Sequence, residues 1–354
     1  MKFSTKSRTL LSLKIKSAQI PKSFVFTIKQ FEIDKEKIIK EIKKKFNKKI
    51  IIRSSTVHED GKSKSFAGFF ESVLNLNSQN YEDVSSGIKK VKLSYKKYHS
   101  NKNEILIQDM IENVNISGVI TTCDLKNYSP YYIINFDKGN DTTAVTSGKK
   151  NSENFIFFRK SKSKPKKKIF SRLILLAKEL EKKFDNEFLD IEFAVKKNKI
   201  YLFQVRPIIN KSNLKHDDGL YAIALKKLEK KIKKLQDENI NLLGKISYFG
   251  VMPDWNPAEM IGTKPKPLSL SLYKELITDH VWALNRKNLG FRDMTSNHLM
   301  TSFFGTPFVD VRVDFNSWIP NLLDNNLANK LTNYYLDQFK KNTTAHDKVE
   351  FEIL

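Results

Sequence analysis

The most constraining feature is a pair of neighbouring segments that alternate apolar and polar residues. They are 190–195, Asp-Ile-Glu-Phe-Ala-Val, and 200–207, Ile-Tyr-Leu-Phe-Gln-Val-Arg-Pro. Period-two alternation is typical of half-buried strands, and the short stretch between the segments predicts a hairpin. Its polar face carries carboxylate, amide and guanidinium groups. Oxygen ligands suit Mg²⁺ and arginine suits phosphate, so this face is a candidate site for both.

The register of the hairpin decides whether those groups meet. A loop of three residues, 197–199, places Glu192 opposite Gln204 on one face. The same register places Asp190 opposite Arg206 on that face, whereas a two-residue turn separates both pairs. We therefore predict the three-residue loop, with its second or third residue in the left-handed conformation. An ordinary amphipathic hairpin with a solvated face is the alternative.

An earlier segment delivers an arginine at the end of an apolar strand. Three isoleucines, 50–52, run directly into Arg53-Ser54-Ser55. A polar stretch and then Ser-Phe-Ala-Gly-Phe-Phe at 65–70 follow. A rigid strand that ends in arginine suits a phosphate clamp.

These segments resemble the nucleotide-binding domain of the phosphoenolpyruvate synthase and pyruvate phosphate dikinase family, which has an ATP-grasp fold. The similar segments occur in the family's order within residues 1 to 210. They are 6–10 Lys-Ser-Arg-Thr-Leu, 20–27 Ile-Pro-Lys-Ser-Phe-Val-Phe-Thr, 51–76 from Ile-Ile-Arg-Ser-Ser onward, 107–111 Ile-Gln-Asp-Met-Ile, 117–122 Ser-Gly-Val-Ile-Thr-Thr, and the hairpin. Any one of these segments alone would be a weak signal.

The resemblance implies ATP and Mg²⁺ as ligands and gives roles to eight side chains. They are Lys6, Arg53 and Arg206 on phosphates, Gln108 and Met110 near the base, Thr122 close to the nucleotide, and Glu192 with Gln204 on the metal. Arg53 and Arg206 are also the implied catalytic residues. For Met110 and Thr122, ordinary strand packing is the alternative.

The sequence departs from the family pattern in two ways. Ser4-Thr5 precede Lys6 where the family has two glycines, so side chains occupy a loop whose backbone normally approaches phosphate. The family's phosphohistidine and barrel domains are not evident. Only Ser296-Asn297-His298 faintly resembles the histidine motif, and we interpret His298 as a structural or surface residue.

The resemblance therefore implies the ATP-binding portion of a phosphoenolpyruvate-synthase-like phosphotransferase. Phosphate from Mg-ATP would pass to a histidine on a separate domain or protein, and then to pyruvate or a related acceptor. The alternative is a non-catalytic nucleotide sensor or scaffold that retains the ATP clamp.

The net charge of +24 raises nucleic-acid binding as a rival function. Only eight of the 63 basic residues are arginines, which is typical of codon usage in an AT-rich genome. No zinc-ligand spacing or RNA-binding signature accompanies the basic residues. We therefore expect no nucleic-acid partner. A single cysteine, no signal peptide and no apolar run of about 18 residues indicate a cytoplasmic protein without a membrane span.

We predict an α+β protein with a two-lobed ATP-grasp domain and a smaller mixed α/β C-terminal region. The predicted divisions are 1–105 and 106–210 for the two lobes, 211–243 for a connecting helix, and 244–354 for the C-terminal region. The connecting helix could alternatively be a partner surface. The predicted helices are 34–46, 86–98, 170–184, 217–243, 269–288 and 322–340, and the predicted strands include 105–111, 117–122, 131–135, 308–314 and 348–354.

A proline-punctuated stretch from 250 to 267 is predicted to be a long loop, either a lid or an irregular packed segment. Asp254 and Glu259 within it are candidates for second-substrate or metal contacts. The strand pattern at the end of the chain has no turn after it, which favours an incomplete reading frame over a complete short protein.

Overall fold

A computed structural model of the chain describes residues 1–56, 71–95, 98, 100, 102–139, 153–209, 217–237, 239–251 and 257–341. The chain divides into two compact units, Met1–Gly219 and Leu220–Leu354. Antiparallel sheets and separate helices make up both units, so the predicted α+β class is confirmed. In the described part of the chain, no helix is long and apolar enough to cross a membrane.

The first sheet of the N-terminal unit has the strand order β1-β4-β2-β3 and is antiparallel throughout. Its strands are β1 (Ser23–Thr27), β2 (Lys49–Ser55), β3 (Ser72–Asn77) and β4 (Glu104–Asp109). Three helices accompany it: α2 (Ile28–Ile33), α3 (Lys35–Lys45) and α4 (Tyr81–Ser94). Apolar residues of these helices, such as Ile42 and Ile88, pack against Ile52 and Ile107 in one core. Arg53, the next residue after Ile52 on β2, lies on the opposite face of the sheet.

The second sheet of this unit has the order β7-β6-β5-β8-β9, again antiparallel. Its strands are β5 (Ile116–Thr121), β6 (Tyr131–Asp137), β7 (Glu153–Phe158), β8 (Leu189–Lys196) and β9 (Lys199–Pro207), with helices α1 (Lys6–Ser12) and α5 (Lys168–Phe184). The core of this sheet includes Leu10 of α1, Leu106 of β4 and Leu176 of α5. Because β4 belongs to the first sheet, this core ties the two sheets together.

The structure explains why position 118, within the motif at 117–122, is a glycine. A Cβ at this position would lie 2.1 Å from the backbone oxygen of Asn135 and 2.9 Å from the Cα of Phe136. Strands β5 and β6 therefore approach each other too closely for any side chain here.

The C-terminal unit contains a small sheet of order β10-β12-β11. Its elements are α6 (Asp218–Gln236), β10 (Phe249–Gly250), α7 (Pro257–Ile261), α8 (Pro267–Tyr273), a π-helical turn (Lys274–Thr278), α9 (Val281–Asn288), β11 (Met300–Phe303), β12 (Thr306–Asp310), α10 (Val311–Ser317) and α11 (Asn325–Lys341). Buried Trp282, Leu299 and Val309 form part of its core.

Three predicted elements of this unit end differently from expectation. The predicted helix 217–243 stops at Gln236, where buried Arg312 donates to the carbonyls of Asp237, Leu242 and Leu243 at 3.2 Å each. The predicted helix 269–288 is broken by the π-helical turn. The predicted strand 308–314 ends at Asp310, whose carboxylate caps α10.

Other boundaries agree more closely. Predicted helices 34–46, 170–184 and 322–340 correspond to α3, α5 and α11, whereas α4 begins at Tyr81, five residues before the predicted start. The proposed division between lobes at residue 105 stays a prediction, although β4 crosses it. The predicted strand 348–354 lies outside the described residues.

Candidate functional site

The hairpin of β8 and β9 forms as predicted, but its turn does not. Lys196 pairs with Lys199, so the loop has two residues, and both Lys197 (φ 45°) and Asn198 (φ 63°) are left-handed. This is the backbone pattern of a type I′ turn, whose twist matches that of the flanking strands. The predicted three-residue loop is therefore wrong. The prediction that Asn198 or Lys199 is left-handed is met by Asn198, whereas Lys199 is a strand residue.

A β-bulge restores the register that the turn alone would have spoiled. Phe193 pairs with Leu202, but Glu192 pairs with Gln204, so Phe203 is the extra residue of β9. An extra residue shifts the alternation by one position and returns the polar side chains to a shared face. The predicted pairing of Glu192 with Gln204 is confirmed, for a different reason from the one expected.

Arg53 links the two sheets at this bulge. It lies near the end of β2, and its Nη2 donates to Oε2 of Glu192 at 2.8 Å. Its Nη1 donates to the carbonyl of Phe203 at 3.5 Å. The side chains of Arg53 and Glu192 are 12% and 20% exposed, so this ion pair is largely shielded from water. Nε of Arg53 is buried and has no hydrogen-bond partner among the described residues.

Two further cations surround Glu192. Lys6, in the first turn of α1, is only 5% exposed, and its charge acts on Glu192. Arg206 also acts on Glu192 from the neighbouring strand. Burial alone would raise the pKa of Glu192, but Arg53, Lys6 and Arg206 together lower it below the usual value. Glu192 is therefore ionised at neutral pH.

Arg206 is held by a second carboxylate on the same face. Its Nε donates to Oδ2 of Asp190 at 2.8 Å, and its Nη2 donates to the same oxygen. Burial raises the pKa of Asp190, and nearby Glu192 raises it further, while Arg206 opposes both effects. The pair fixes the position of the Arg206 guanidinium beside Glu192.

The oxygen donors on this face are suited to a magnesium ion. They are the carboxylates of Glu192 and Asp190 and the side-chain amide of Gln204, which is 3% exposed. Oδ1 of Asp190 is buried with no hydrogen-bond partner among the described residues, as expected for an oxygen that a cation would satisfy. In that part of the chain, no cluster of three His, Cys, Asp or Glu residues could hold a metal. Any metal here would thus need ligand oxygens from a bound phosphate as well.

The three other candidate residues are placed differently. Gln108 lies on the Arg53 face of the first sheet, is 1% exposed, and donates from its amide to Oγ of Ser23 at 3.1 Å. Met110 directly follows β4, and its sulfur accepts from the backbone N–H of Asn75 at 3.3 Å. Asn75 has a φ of 60° and lies where the pairing of β3 with β2 shifts register. Gln108 and Met110 keep their predicted role near the base as a prediction.

Thr122 is fully buried and bound to backbone. Its hydroxyl donates to the carbonyl of Glu187 at 2.6 Å and accepts from the N–H of Leu189 at 2.7 Å. Both hydrogen-bonding functions of the hydroxyl are thus used at the start of β8. This placement supports the packing interpretation of Thr122.

The remaining candidates lie outside the described residues or in the C-terminal unit. The segment 65–70 and Asp254 lie outside the described residues, and Glu259 is exposed on α7. His298 is 66% exposed, and its Nδ1 lies 3.3 Å from Oδ1 of Asp279.

Sequence reasoning missed one residue of this region, Glu104. It begins β4, is 3% exposed, and binds side chains of the segment around Lys6. A carboxylate at the start of an otherwise apolar strand, together with hydroxyl residues on both sides of Lys6, was the available signal.

Comparison with known proteins gives a family for the N-terminal part of the chain. Residues 3–174 match the family model "Pyruvate phosphate dikinase, AMP/ATP-binding domain". The matched segment contains Lys6, Arg53 and Glu104 and ends before the hairpin. No curated protein sequence shows a significant match.

Solved structures with similarity to the chain include three enzymes. The D-alanine–D-alanine ligase from Helicobacter pylori is 14% identical, with a TM-score of 0.32 over 58% of this chain and 51% of that one. The VanG D-Ala:D-Ser ligase from Enterococcus faecalis is 15% identical, with a TM-score of 0.32 over 62% and 56%. The dinucleotide-forming acetyl-coenzyme A synthetase 1 from Ca. Korarchaeum cryptofilum is 14% identical, with a TM-score of 0.34 over 54% and 87%.

The chain thus spans about half the length of the two ligases. The family match covers the segment in which α1 and β2 bring Lys6 and Arg53 toward Glu192. Residues 3–174 belong to the family of the pyruvate phosphate dikinase AMP/ATP-binding domain, and the N-terminal unit is accordingly an ATP-binding domain.

Proposed function

We propose that this chain is the ATP-binding portion of a phosphoenolpyruvate-synthase-like phosphotransferase. It would transfer phosphate from Mg-ATP to a histidine on a separate domain or protein, and from there to pyruvate or a related acceptor. The observation that carries the proposal is the convergence of three cations, Lys6, Arg53 and Arg206, on the Glu192 carboxylate opposite Gln204.

Charge complementarity supports a polyphosphate ligand. Three cations face two carboxylates, Glu192 and Asp190, which leaves an excess of one positive charge in a partly buried region. Cations in a region shielded from water attract phosphate more strongly than exposed ones. When ATP binds, phosphate oxygens would bind Arg53 and Arg206 in place of their carboxylate partners or together with them.

Glu192 and Gln204 are the residues that would hold magnesium, with Asp190 beside them. When bound, the ion would neutralise phosphate charge and orient the reacting group for in-line attack. The chain's own contribution is to fix the polyphosphate with Lys6 from α1, Arg53 from the first sheet and Arg206 from the hairpin. A histidine nitrogen would then attack phosphorus while the phosphate–oxygen bond to the departing nucleotide group breaks.

Turnover of ATP by the wild-type chain, alone and with a histidine-bearing partner domain, tests this proposal. We expect ATP consumption that depends on Mg²⁺ and on the partner histidine. Arg206→Ala is expected to lower turnover by about 100-fold, because it removes a charge that stabilises the transferring phosphate. The change also leaves the buried carboxylate of Asp190 without its partner and so lowers stability, and turnover is therefore compared per folded molecule. Equal turnover in Arg206→Ala and wild type would contradict the assigned role.

A non-catalytic nucleotide sensor is the second candidate, and one observation favours it. Thr5 precedes Lys6 where the family pattern expects glycine, and its side chain caps α1. Side chains in this loop would keep its backbone N–H groups farther from phosphate than glycines would, which would weaken their stabilisation of the transferred phosphate. ATP binding by calorimetry without turnover, even with the partner histidine domain supplied, would favour the sensor over the transferase.

A further inference from the structure

Glu104 is a buried carboxylate that binds three side chains around Lys6. Oε2 accepts from Oγ1 of Thr5 at 2.7 Å and from Oγ of Ser7 at 2.6 Å. Oε1 accepts from Nε of Arg8 at 2.6 Å. The three donors come from residues on both sides of Lys6, so one carboxylate on β4 fastens the whole start of α1.

A second set of hydrogen bonds ties the same segment to the strand that carries Arg53. The backbone N–H of Ser7 donates to Oγ of Ser55 at 3.0 Å, and Oγ of Ser55 donates to Oγ of Ser7 at 2.9 Å. Ser55 pairs with Glu104 in the sheet. The Tyr95 hydroxyl accepts from the N–H of Ser55 at 2.9 Å and donates to the carbonyl of Glu104 at 2.6 Å. The ends of β2 and β4 are therefore locked together beneath α1.

The charge of Glu104 is maintained in this position. Burial would raise its pKa, but hydrogen bonds from Ser7, Thr5 and Arg8 and the charge of Arg8 lower it. Burying a carboxylate costs free energy unless hydrogen-bond donors are held in place around it. The arrangement orders the backbone on both sides of Lys6, whose own side chain is 5% exposed.

We propose that Glu104 is a positioning residue that holds Lys6 in place for the polyphosphate of a bound nucleotide. The inference rests on the proposed function, because it assumes that Lys6 contacts phosphate. Glu104 itself would touch no ligand. Its effect reaches the nucleotide through the segment 5–8, and so it acts on the phosphates rather than on the base.

Glu104→Gln in the full chain tests this inference, because it keeps the size of the side chain and removes its charge. We expect the dissociation constant for Mg-ATP to rise about tenfold, and that for AMP to change less than about twofold. The matched control is Glu179→Gln. Glu179 also binds the N-terminal segment, through the backbone N–H of Lys16 and Ser17 and the Ser17 hydroxyl at 2.6 Å, but beyond the far end of α1. This control is expected to leave both affinities unchanged.

A double-mutant cycle with Lys6→Ala decides whether Glu104 acts through Lys6. If it does, Glu104→Gln adds less than about a twofold loss of ATP affinity in the Lys6→Ala background. Ser7→Ala removes one donor and keeps the carboxylate, and we expect it to give a smaller loss, about threefold, for ATP alone. This variant serves if Glu104→Gln does not fold.

Each outcome has a distinct meaning. Full additivity in the cycle, unchanged ATP affinity in Glu104→Gln and Ser7→Ala, or equal losses for ATP and AMP would overturn the positioning role while leaving the nucleotide site intact. Failure of the wild-type chain to bind Mg-ATP would overturn the proposed function together with this inference.

Discussion

Two ion-paired glutamates in the N-terminal unit look alike but behave in opposite ways. Glu192 contacts Arg53 at 2.8 Å, and Glu181 contacts Arg159 at 3.0 Å. All four side chains are 20% exposed or less. Yet the pKa of Glu192 is lowered, whereas burial raises the pKa of Glu181 to about 7.

The difference lies in the charges around each pair. Glu192 feels two cations besides Arg53, whereas the Arg159 cation also faces Glu187 at 3.6 Å and donates to the carbonyls of Thr122 and Glu187. The Tyr132 hydroxyl donates to Glu181 at 2.8 Å, but this does not offset burial. An excess of cations, as around Glu192, is typical of an anion-binding site. One cation shared by two carboxylates, as at Arg159, is typical of a structural contact. Three predictions can break or sharpen this contrast.

The largest effect is expected from Arg159→Ala. Removing the cation leaves Glu181 buried and unpaired and frees the carbonyls of Thr122 and Glu187. Loss of one partner of a buried pair costs about 3–5 kcal/mol of unfolding free energy. Urea denaturation measures it, with Lys160→Ala, an exposed neighbour, as the control. A loss below about 1 kcal/mol would remove the structural half of the contrast.

A slightly smaller effect is expected from Arg53→Ala, and it falls on a different property. We expect ATP turnover to drop by about 100-fold, because the variant loses a cation aimed at phosphate. Unfolding free energy should fall less than in Arg159→Ala, since Lys6 and Arg206 still compensate Glu192. Paired assays of turnover and urea denaturation on both variants measure the contrast. If Arg53→Ala mainly unfolds the protein and keeps its turnover per folded molecule, Arg53 is structural as well.

The smallest effect concerns pH. Because the pKa of Glu181 is about 7 in the folded state and 4.5 as a reference, the folded protein binds more protons between these values. Stability therefore falls as pH rises through this range, by about 2 kcal/mol between pH 5 and pH 7. The unfolding free energy of Glu181→Gln measured across this range should show a flatter profile.

Glu192→Gln provides the opposite control for the pH experiment. A lowered pKa contributes stability that is fully present above 4.5 and is lost only at more acidic pH. This variant is therefore expected to keep the wild-type slope between pH 5 and pH 7. A changed slope in Glu192→Gln, or an unchanged one in Glu181→Gln, would show that the two environments have been assigned the wrong way round.

Much of the site could be predicted from sequence because its residues lie on strands with clear alternation. Glu192, Gln204 and Arg206 share a face as expected, and Arg53 reaches Glu192. The turn was predicted wrongly because alternation constrains only the sum of turn length and bulges, and it cannot separate the two. The carbonyl of Phe203 contacts Arg53, which is 150 residues away in sequence, so no local pattern reports it.

The elements that escaped prediction depend on contacts that local patterns do not contain. Glu104 meets Ser7 across 97 residues, and Arg312 stops α6 by taking carbonyls about 70 residues earlier in the chain. Asp310 is different, because it caps α10 through adjacent residues and could have been read as a helix start. Apolar alternation from 308 to 313 concealed that signal.

The extra residue at position 203 has an evolutionary consequence. A short turn and a bulged strand cancel one another, so loss of either feature by a single deletion or insertion would direct Glu192 and Gln204 to opposite sides. Loss of both together would keep Glu192 and Gln204 on the same side. Among descendants of this sequence we therefore expect compensated length changes: a lineage that gains a residue in the turn should also lose one from the second strand.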